Sequence, residues 1–245
     1  MANFIIFAAS SGIGSQLASI LIAKGHKLFI TTRKGDDLAK LKQEFGAEGQ
    51  LLDISNFEET EKALLAAKNL FGEVHGVACC AGSLLLKSAH LTTRQQFNDV
   101  IEASLATAFS VTRAAGKHMA QSGGSVVLVS SAAASAGLAN HEAIAAAKAG
   151  INGLVLSAAA SYASSNIRFN AVAPGLTETK MTAALTANDA ARKVSESMHA
   201  LGRLGTPADV ARMMAFLLAP ENNWITGQII GVDGGLGSVR PKSRV

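Results

Sequence analysis

Charge is scarce in this chain, and cysteine, tryptophan and tyrosine are nearly absent. Charged side chains make up 16% of its 245 residues. Arg240, Lys242 and Arg244 supply three units of the +4 formal charge, leaving +1 (4 − 3) for the rest. A nucleic-acid surface needs clustered basic charge, so that class of partner is excluded. The two cysteines, Cys79 and Cys80, are adjacent. Neighbours on a strand point to opposite faces, so the pair reads as buried thiols, neither disulfide nor metal site. No apolar run reads as long enough to span a bilayer. The early apolar stretch FIIFAA lacks the basic region and cleavage site of an export signal, so it reads as a first strand. A cytosolic location is the expectation. Internal repeats, low-complexity blocks and interdomain linkers are missing too.

What is present is apolar. Hydrophobic residues make up 49% of the chain, which suits a parallel sheet covered by helices. Strand-like runs at Asn3–Phe7, Lys27–Thr31, Gly49–Leu52, Gly76–Cys80, Ser125–Ser130, Ile167–Val172 and Gln228–Val232 alternate with helical patterns. The helical patterns lie near 12–24, 35–45, 56–70, 94–120, 141–164 and 207–218. Such alternation predicts an α/β fold: a three-layer, doubly wound, parallel seven-stranded sheet of Rossmann type. Residues 1–238 read as a single nucleotide-binding domain and 239–245 as a basic tail.

The first strand-to-helix turn is Phe7-Ala8-Ala9-Ser10-Ser11-Gly12-Ile13-Gly14. A dinucleotide site needs backbone N–H groups at a helix start and nothing bulky before the pyrophosphate. Gly12 and Gly14 allow that approach, while Ser10 and Ser11 offer hydroxyls. Ala8 costs little at negative φ, but about 1 kcal/mol or more at positive φ. After the second strand come Arg33 and Lys34, with no acidic residue before Asp36. A guanidinium there can pair with a 2′-phosphate, which favours NADP(H) over NAD(H).

These segments resemble the short-chain dehydrogenases/reductases. The likeness is carried by the Gly12/Gly14 turn and by Asp53-Ile54, the pair that in the family contacts adenine. It is carried further by Cys80-Ala81-Gly82, by Ser131 with Lys148, by Asn170-Ala171-Val172-Ala173-Pro174-Gly175, and by Thr177. It extends over essentially the whole chain. The resemblance implies that Ser131 hydrogen-bonds the substrate oxygen and Lys148 holds the nicotinamide ribose. It also implies that Pro174-Gly175 turns beneath the nicotinamide and that Thr177 bonds its carboxamide or a phosphate. Residues 180–200 are expected to form a lid with Met181, Met198 and Leu201 as substrate contacts. The departures are as informative. Cys79 and Cys80 stand where the family has asparagines, and Ser104 replaces the asparagine that bends a helix and holds a relay water. Ile144 occupies the position of the proton-donating tyrosine.

Isoleucine has no ionisable proton. The only tyrosine, Tyr162, lies fourteen residues beyond Lys148, about 21 Å further along the same predicted helix. His141 is the nearest stand-in, on the face shared by Ile144 and Lys148. Asn140 is the expected N-cap, with His141 in the first turn as a neutral N–H donor. His141 sits about 4.5 Å along the axis from the tyrosine position. Two function classes result. One is an NADP(H)-dependent oxidoreductase acting on a small or apolar carbonyl or alcohol, with water relayed by Lys148 and Ser131, or His141, replacing the tyrosine. Reduction of an activated C=C or imine is a variant of it. The other is an NADP(H)-binding sensor or scaffold. Small residues on helices 141–164 and 94–120 point to a homodimer or homotetramer.

Overall fold

The computed structural model describes residues 1–240. Seven parallel strands form one sheet in the order β3-β2-β1-β4-β5-β6-β7. They are β1 Asn3–Phe7, β2 Lys27–Thr32, β3 Glu48–Leu51, β4 Gly76–Cys79, β5 Gly124–Val129, β6 Ile167–Pro174 and β7 Ile229–Val232. β1 and β4 lie at the centre with both faces covered, so their sequences read as near-continuous apolar runs. The predicted strand ends move by one or two residues.

Helices pack on both faces. α1 (Gly12–Ala23), α2 (Gly35–Phe45) and α8 (Pro207–Leu218) lie on one side, burying Leu17, Leu21, Leu41, Val210 and Met214. On the other side α3 (Phe57–Phe71), α5 (Thr107–His118) and α6 (Glu142–Tyr162) bury Leu64, Val111, Ile151 and Val155. The remaining helices are α4 (Arg94–Ile101) and α7 (Asp189–Met198). The doubly wound α/β architecture therefore agrees with the expectation.

Four local expectations change. The helix expected over 94–120 is interrupted: Glu102–Ala106 is a π segment between α4 and α5. Thr107 Oγ1 donates to the carbonyls of Ala103 and Ser104, and Leu105 packs so close to Gly150 that a Cβ there would lie 2.8 Å away. A hydroxyl and a glycine thus accompany the bend without an asparagine. Next, Asn140 is not the N-cap of α6. His141 is, and Asn140 sits one residue earlier with φ +63°. It is pinned by Ser88 Oγ, which donates to Asn140 Oδ1 at 2.5 Å, and by the Lys87 amide, which donates to its carbonyl at 2.7 Å. Third, the segment 180–200 contains a helix, α7, capped by Asn188 Oδ1 accepting from the Ala191 amide. Last, Glu142–Ser165 is long and apolar enough to cross a bilayer by length and composition. Its Ala147, Ile151, Val155 and Ala158 are instead buried within the protein, four residues or fewer apart as one helix face requires. Arg240 ends the described residues, so the expected roles of Lys242 and Arg244 lie outside them.

The strand order reverses between β1 and β4. In sheets of this kind a crevice opens at the C-terminal strand ends beside such a switch point.

Candidate active site

That crevice is a cleft of about 990 Å³. Its nucleotide end starts at the β1–α1 turn. Ala8 has φ +58°, the left-handed conformation, and its carbonyl accepts from the Ser11 amide at 3.1 Å. Ser11 is the N-cap of α1, and its Oγ accepts from the Gly14 amide at 3.0 Å. The Ser11 oxygen thus holds the helix start, which leaves its hydroxyl hydrogen for a ligand. Gly12 and Ile13 carry first-turn N–H groups, which a helix leaves without intrahelical partners. A Cβ on Gly14 would meet the Ala8 carbonyl at 2.6 Å, so this glycine is needed to close the turn. Gly14 itself does not line the cleft, whereas Ala8, Ser10, Ser11, Gly12 and Ile13 do.

Arg33 and Lys34 line the same end from beyond β2, and both are exposed. Among the described residues neither joins an ion pair. Asp53 and Ile54 form the adjoining wall. Asp53 Oδ1 accepts from the Ser55 amide and hydroxyl, which fixes the carboxylate.

Strands β4 and β5 deliver the central part. Cys80, Ala81 and Gly82 line it from one side, and Val129, Ser130 and Ser131 from the other. Burial pushes the Cys79 thiol up; the Ala81 amide and the nearby Lys148 charge oppose this in part. Cys80 is also pushed up by its packing, although it is only half-buried. Neither thiol is a ready thiolate. Ser131 Oγ accepts from the Ala133 amide at 3.1 Å, again leaving its hydrogen for a ligand.

Lys148 is 5% exposed, on the inner face of α6. Its Nζ donates to the Val129 carbonyl at 2.7 Å, its one hydrogen-bond partner among the described residues. A Cβ on Gly82 would lie 3.2 Å from Nζ, so the ammonium sits between the ends of β4 and β5. Burial lowers its pKa to about 8, with a small opposing influence from Cys79. Ser130 ties this stretch of α6 to β5: its hydroxyl lies 2.6 Å from Asn152 Oδ1 and 3.2 Å from the Lys148 carbonyl.

Ile144 also lines the cleft, packed with Val100, Ala143 and Ala147. Tyr162 is wedged against Gly116, where a Cβ would lie 2.4 Å from its ring, and it is not in the cleft. His141 lines the cleft near the surface. Its Nδ1 lies 2.8 Å from the Ala139 carbonyl, so Nδ1 carries the hydrogen and neutral Nε2 has only a lone pair. The expected donation of N–H to a substrate carbonyl is therefore unavailable from the neutral ring.

Pro174, Gly175 and Thr177 line the opposite wall. Thr177 is buried, and its hydroxyl donates to the Gly175 carbonyl at 3.2 Å. Thr179, not singled out from the sequence, also lines the cleft, its methyl 3.2 Å from where a Gly12 Cβ would stand. His199 was missed as well. It is 4% exposed, its Nδ1–H donates to the Ser195 carbonyl at 2.7 Å, and its Nε2 accepts from the Leu176 amide at 3.1 Å. It thereby joins α7 to the Pro174-Gly175 turn; lone histidines carry no sequence signal of such a role. Met181 and Met198 rim the cleft, whereas Leu201 is 68% exposed and outside it.

A dinucleotide fits this arrangement. The buried Lys148 cation has donors left over, the α1 start is open at Gly12, and Arg33 and Lys34 offer charge where β2 ends.

A family profile described as "Enoyl-(Acyl carrier protein) reductase" matches residues 7–237. Carbonyl reductase family member 4 from Danio rerio is 36% identical over 239 residues, covering 95% of this chain and 96% of that protein. A short-chain type dehydrogenase/reductase structure from Mycobacterium ulcerans superposes with TM-score 0.93 at 30% identity, covering 98% and 91% of the two chains. ElxO with NADP bound gives TM-score 0.89 at 27% identity, with coverage of 97% and 99%. A glycine turn at the switch point, a serine two residues beyond β5 and a lysine buried on α6 thus occur in a chain that belongs to the short-chain dehydrogenase/reductase family of oxidoreductases.

Proposed function

We propose that this chain is an NADP(H)-dependent oxidoreductase that interconverts a small or apolar carbonyl and its alcohol by a proton path without tyrosine. The observation that carries the reading is Lys148, a buried cation with one protein partner facing the cleft. A scaffold has no need to keep such a charge, because burial without full pairing is costly. Arg33 and Lys34 support NADP(H), and the apolar rim of Leu86, Met181, Val194 and Met198 supports an apolar substrate. A bound nicotinamide supplies or accepts the hydride. This chain's Ser131 orients the substrate oxygen, while Gly12, Ile13 and Arg33 hold the phosphates. The protein works in the cytosol, as a homodimer or homotetramer.

The test is NADPH binding by fluorescence, with turnover measured on a panel of aldehydes, ketones, imines and activated alkenes. Binding and turnover are expected. Lys148→Ala should lose turnover by at least about 100-fold, and Arg33→Ala should narrow the preference for NADPH over NADH by at least about tenfold. Ile144 in the tyrosine position favours a second reading, an NADP(H)-binding sensor or scaffold. Tight binding without turnover on any member of the panel would establish that reading and defeat the first.

A further inference from the structure

Among the groups that face the cleft floor, very few can give up a proton near neutral pH. Ile144 has none to give. The Ser131 hydroxyl holds its proton far above this range. Cys79 and Cys80 have thiols pushed up by packing. His141 stands near the surface, seven residues and about 10 Å of helix before Lys148, so it does not reach the floor. His199 has both ring nitrogens engaged, with the Ser195 carbonyl and the Leu176 amide, and Tyr162 lies outside the cleft. Lys148 remains. Its three N–H donors meet a single protein acceptor among the described residues, Val129 O, two residues before Ser131.

We propose that Lys148 is itself the acid and base of the reaction, giving its Nζ proton toward the carbonyl oxygen held by Ser131. The proposal deepens the oxidoreductase reading and rests on it. In reduction, the carbonyl carbon gains a hydride from a reduced nicotinamide, which is oxidised. The C=O π pair becomes the O–H bond, taking one proton from the Lys148 ammonium. Lys148 is left as a neutral amine and regains its proton from solvent. Oxidation of the alcohol runs the same exchange backward, with neutral Lys148 as base.

A buried ammonium suits this exchange. Burial lowers its pKa to about 8, so it changes charge close to neutral pH, where proton donors and acceptors work best. At the end of β4, Cys79 and the following Cys80 add no fixed charge, and among the described residues no carboxylate pairs with Nζ. Asp99 and Glu102, the acidic residues on the substrate side of the cleft, are exposed, on the α4 side. Val129 O accepts from the charged and the neutral forms alike, so the amine stays in place throughout.

Two measurements on the wild-type protein test this. In the first, kcat/KM is followed against pH in both directions. Reduction needs the ammonium, so it should be level at low pH and fall tenfold per unit above about 8. Oxidation needs the amine and should rise through the same midpoint. In the second, the ligand-free protein is labelled by pulsed reductive methylation at each pH, and Lys148 is read by mass spectrometry. Neutral amine reacts, so labelling should rise with a midpoint of about 8. A third arm uses Lys148→Arg, which keeps the charge but cannot release its proton. Its kcat should drop at least about 100-fold while NADPH affinity, by fluorescence, stays within about tenfold. Turnover with flat profiles across this range, a labelling midpoint above 10, or Lys148→Arg keeping a third of kcat would overturn the proposal alone. Wild-type protein that binds NADPH but turns over nothing would overturn the oxidoreductase reading, and this assignment with it.

Discussion

Ala8 holds φ +58° where the chain turns from β1 into α1. The methyl crowds its own backbone there, at a cost of about 1–2 kcal/mol relative to right-handed conformations. The turn tolerates it because Ser11 N–H and Gly14 both close on the Ala8 carbonyl side. Ala8→Gly relieves that crowding at the expense of a more flexible unfolded chain, so the net gain is about 1 kcal/mol or less. Thermal melting should show a higher midpoint for the variant, and an unchanged or lower one would contradict the strain. This residue also shows what sequence can deliver. The two φ cases were visible from Ala8 alone, but the choice between them depended on how the turn closes on the Ala8 carbonyl and on the Ala9 amide donating to the Thr31 carbonyl of β2. His141 is similar: its place beside the cleft was legible from spacing, yet its tautomer is set by the Ala139 carbonyl, a contact of loop geometry.

At the scale of the elements, periodicity identified all seven strands and most helices, because the central parallel strands are apolar on both faces and the edge strand β3 follows from the alternation of strand and helix. It did not reveal the π segment at Glu102–Ala106. Every residue there suits a helix, and the extra residue in the turn arises with Thr107 back-bonding and the approach of Leu105 to Gly150. It also did not reveal the role of Arg168, the one charged residue of β6. Its guanidinium donates to the carbonyls of Leu217, Ala219 and Ile225, and Ser125 Oγ donates to that of Leu217. The bonds to Leu217 and Ala219 satisfy carbonyls at the end of α8 and complement its negative pole, while the bond to Ile225 ties β6 to the loop before β7. Arg168→Met keeps much of the bulk but removes the charged donor, while the Leu217, Ala219 and Ile225 carbonyls keep Ser125 Oγ, the Asn222 amide and Asn170 Nδ2. It should destabilise the fold by about 1–3 kcal/mol, read as a lower urea midpoint with unchanged slope. A change below about 0.5 kcal/mol would mean that the remaining donors satisfy those carbonyls.

For the molecule as a whole, the outer faces of the helices carry apolar side chains without cover. Phe97 on α4, Phe109 on α5 and Leu156 on α6 are 42%, 48% and 56% exposed. A Cβ on Gly153 of α6 would meet nothing within 4 Å, so this helix presents a low, small-residue surface. Patches of this kind favour association with a like surface. Light scattering should therefore give the mass of a dimer or tetramer, and Phe109→Glu should shift it toward the monomer. A monomer for the parent chain would refute the assembly.

The placement of the two rare aromatic side chains has one further consequence. Trp224 is 97% exposed in the loop before β7, and Tyr162 is locked between Gly116 and Phe169. Neither lines the cleft. The cleft is thus optically blank, with no indole or phenol of its own. Emission from a bound reduced nicotinamide reports the polarity of its seat directly. A change in indole emission on adding a reduced nicotinamide then reports energy transfer from the loop before β7 to the cleft, not contact of the ligand with an indole.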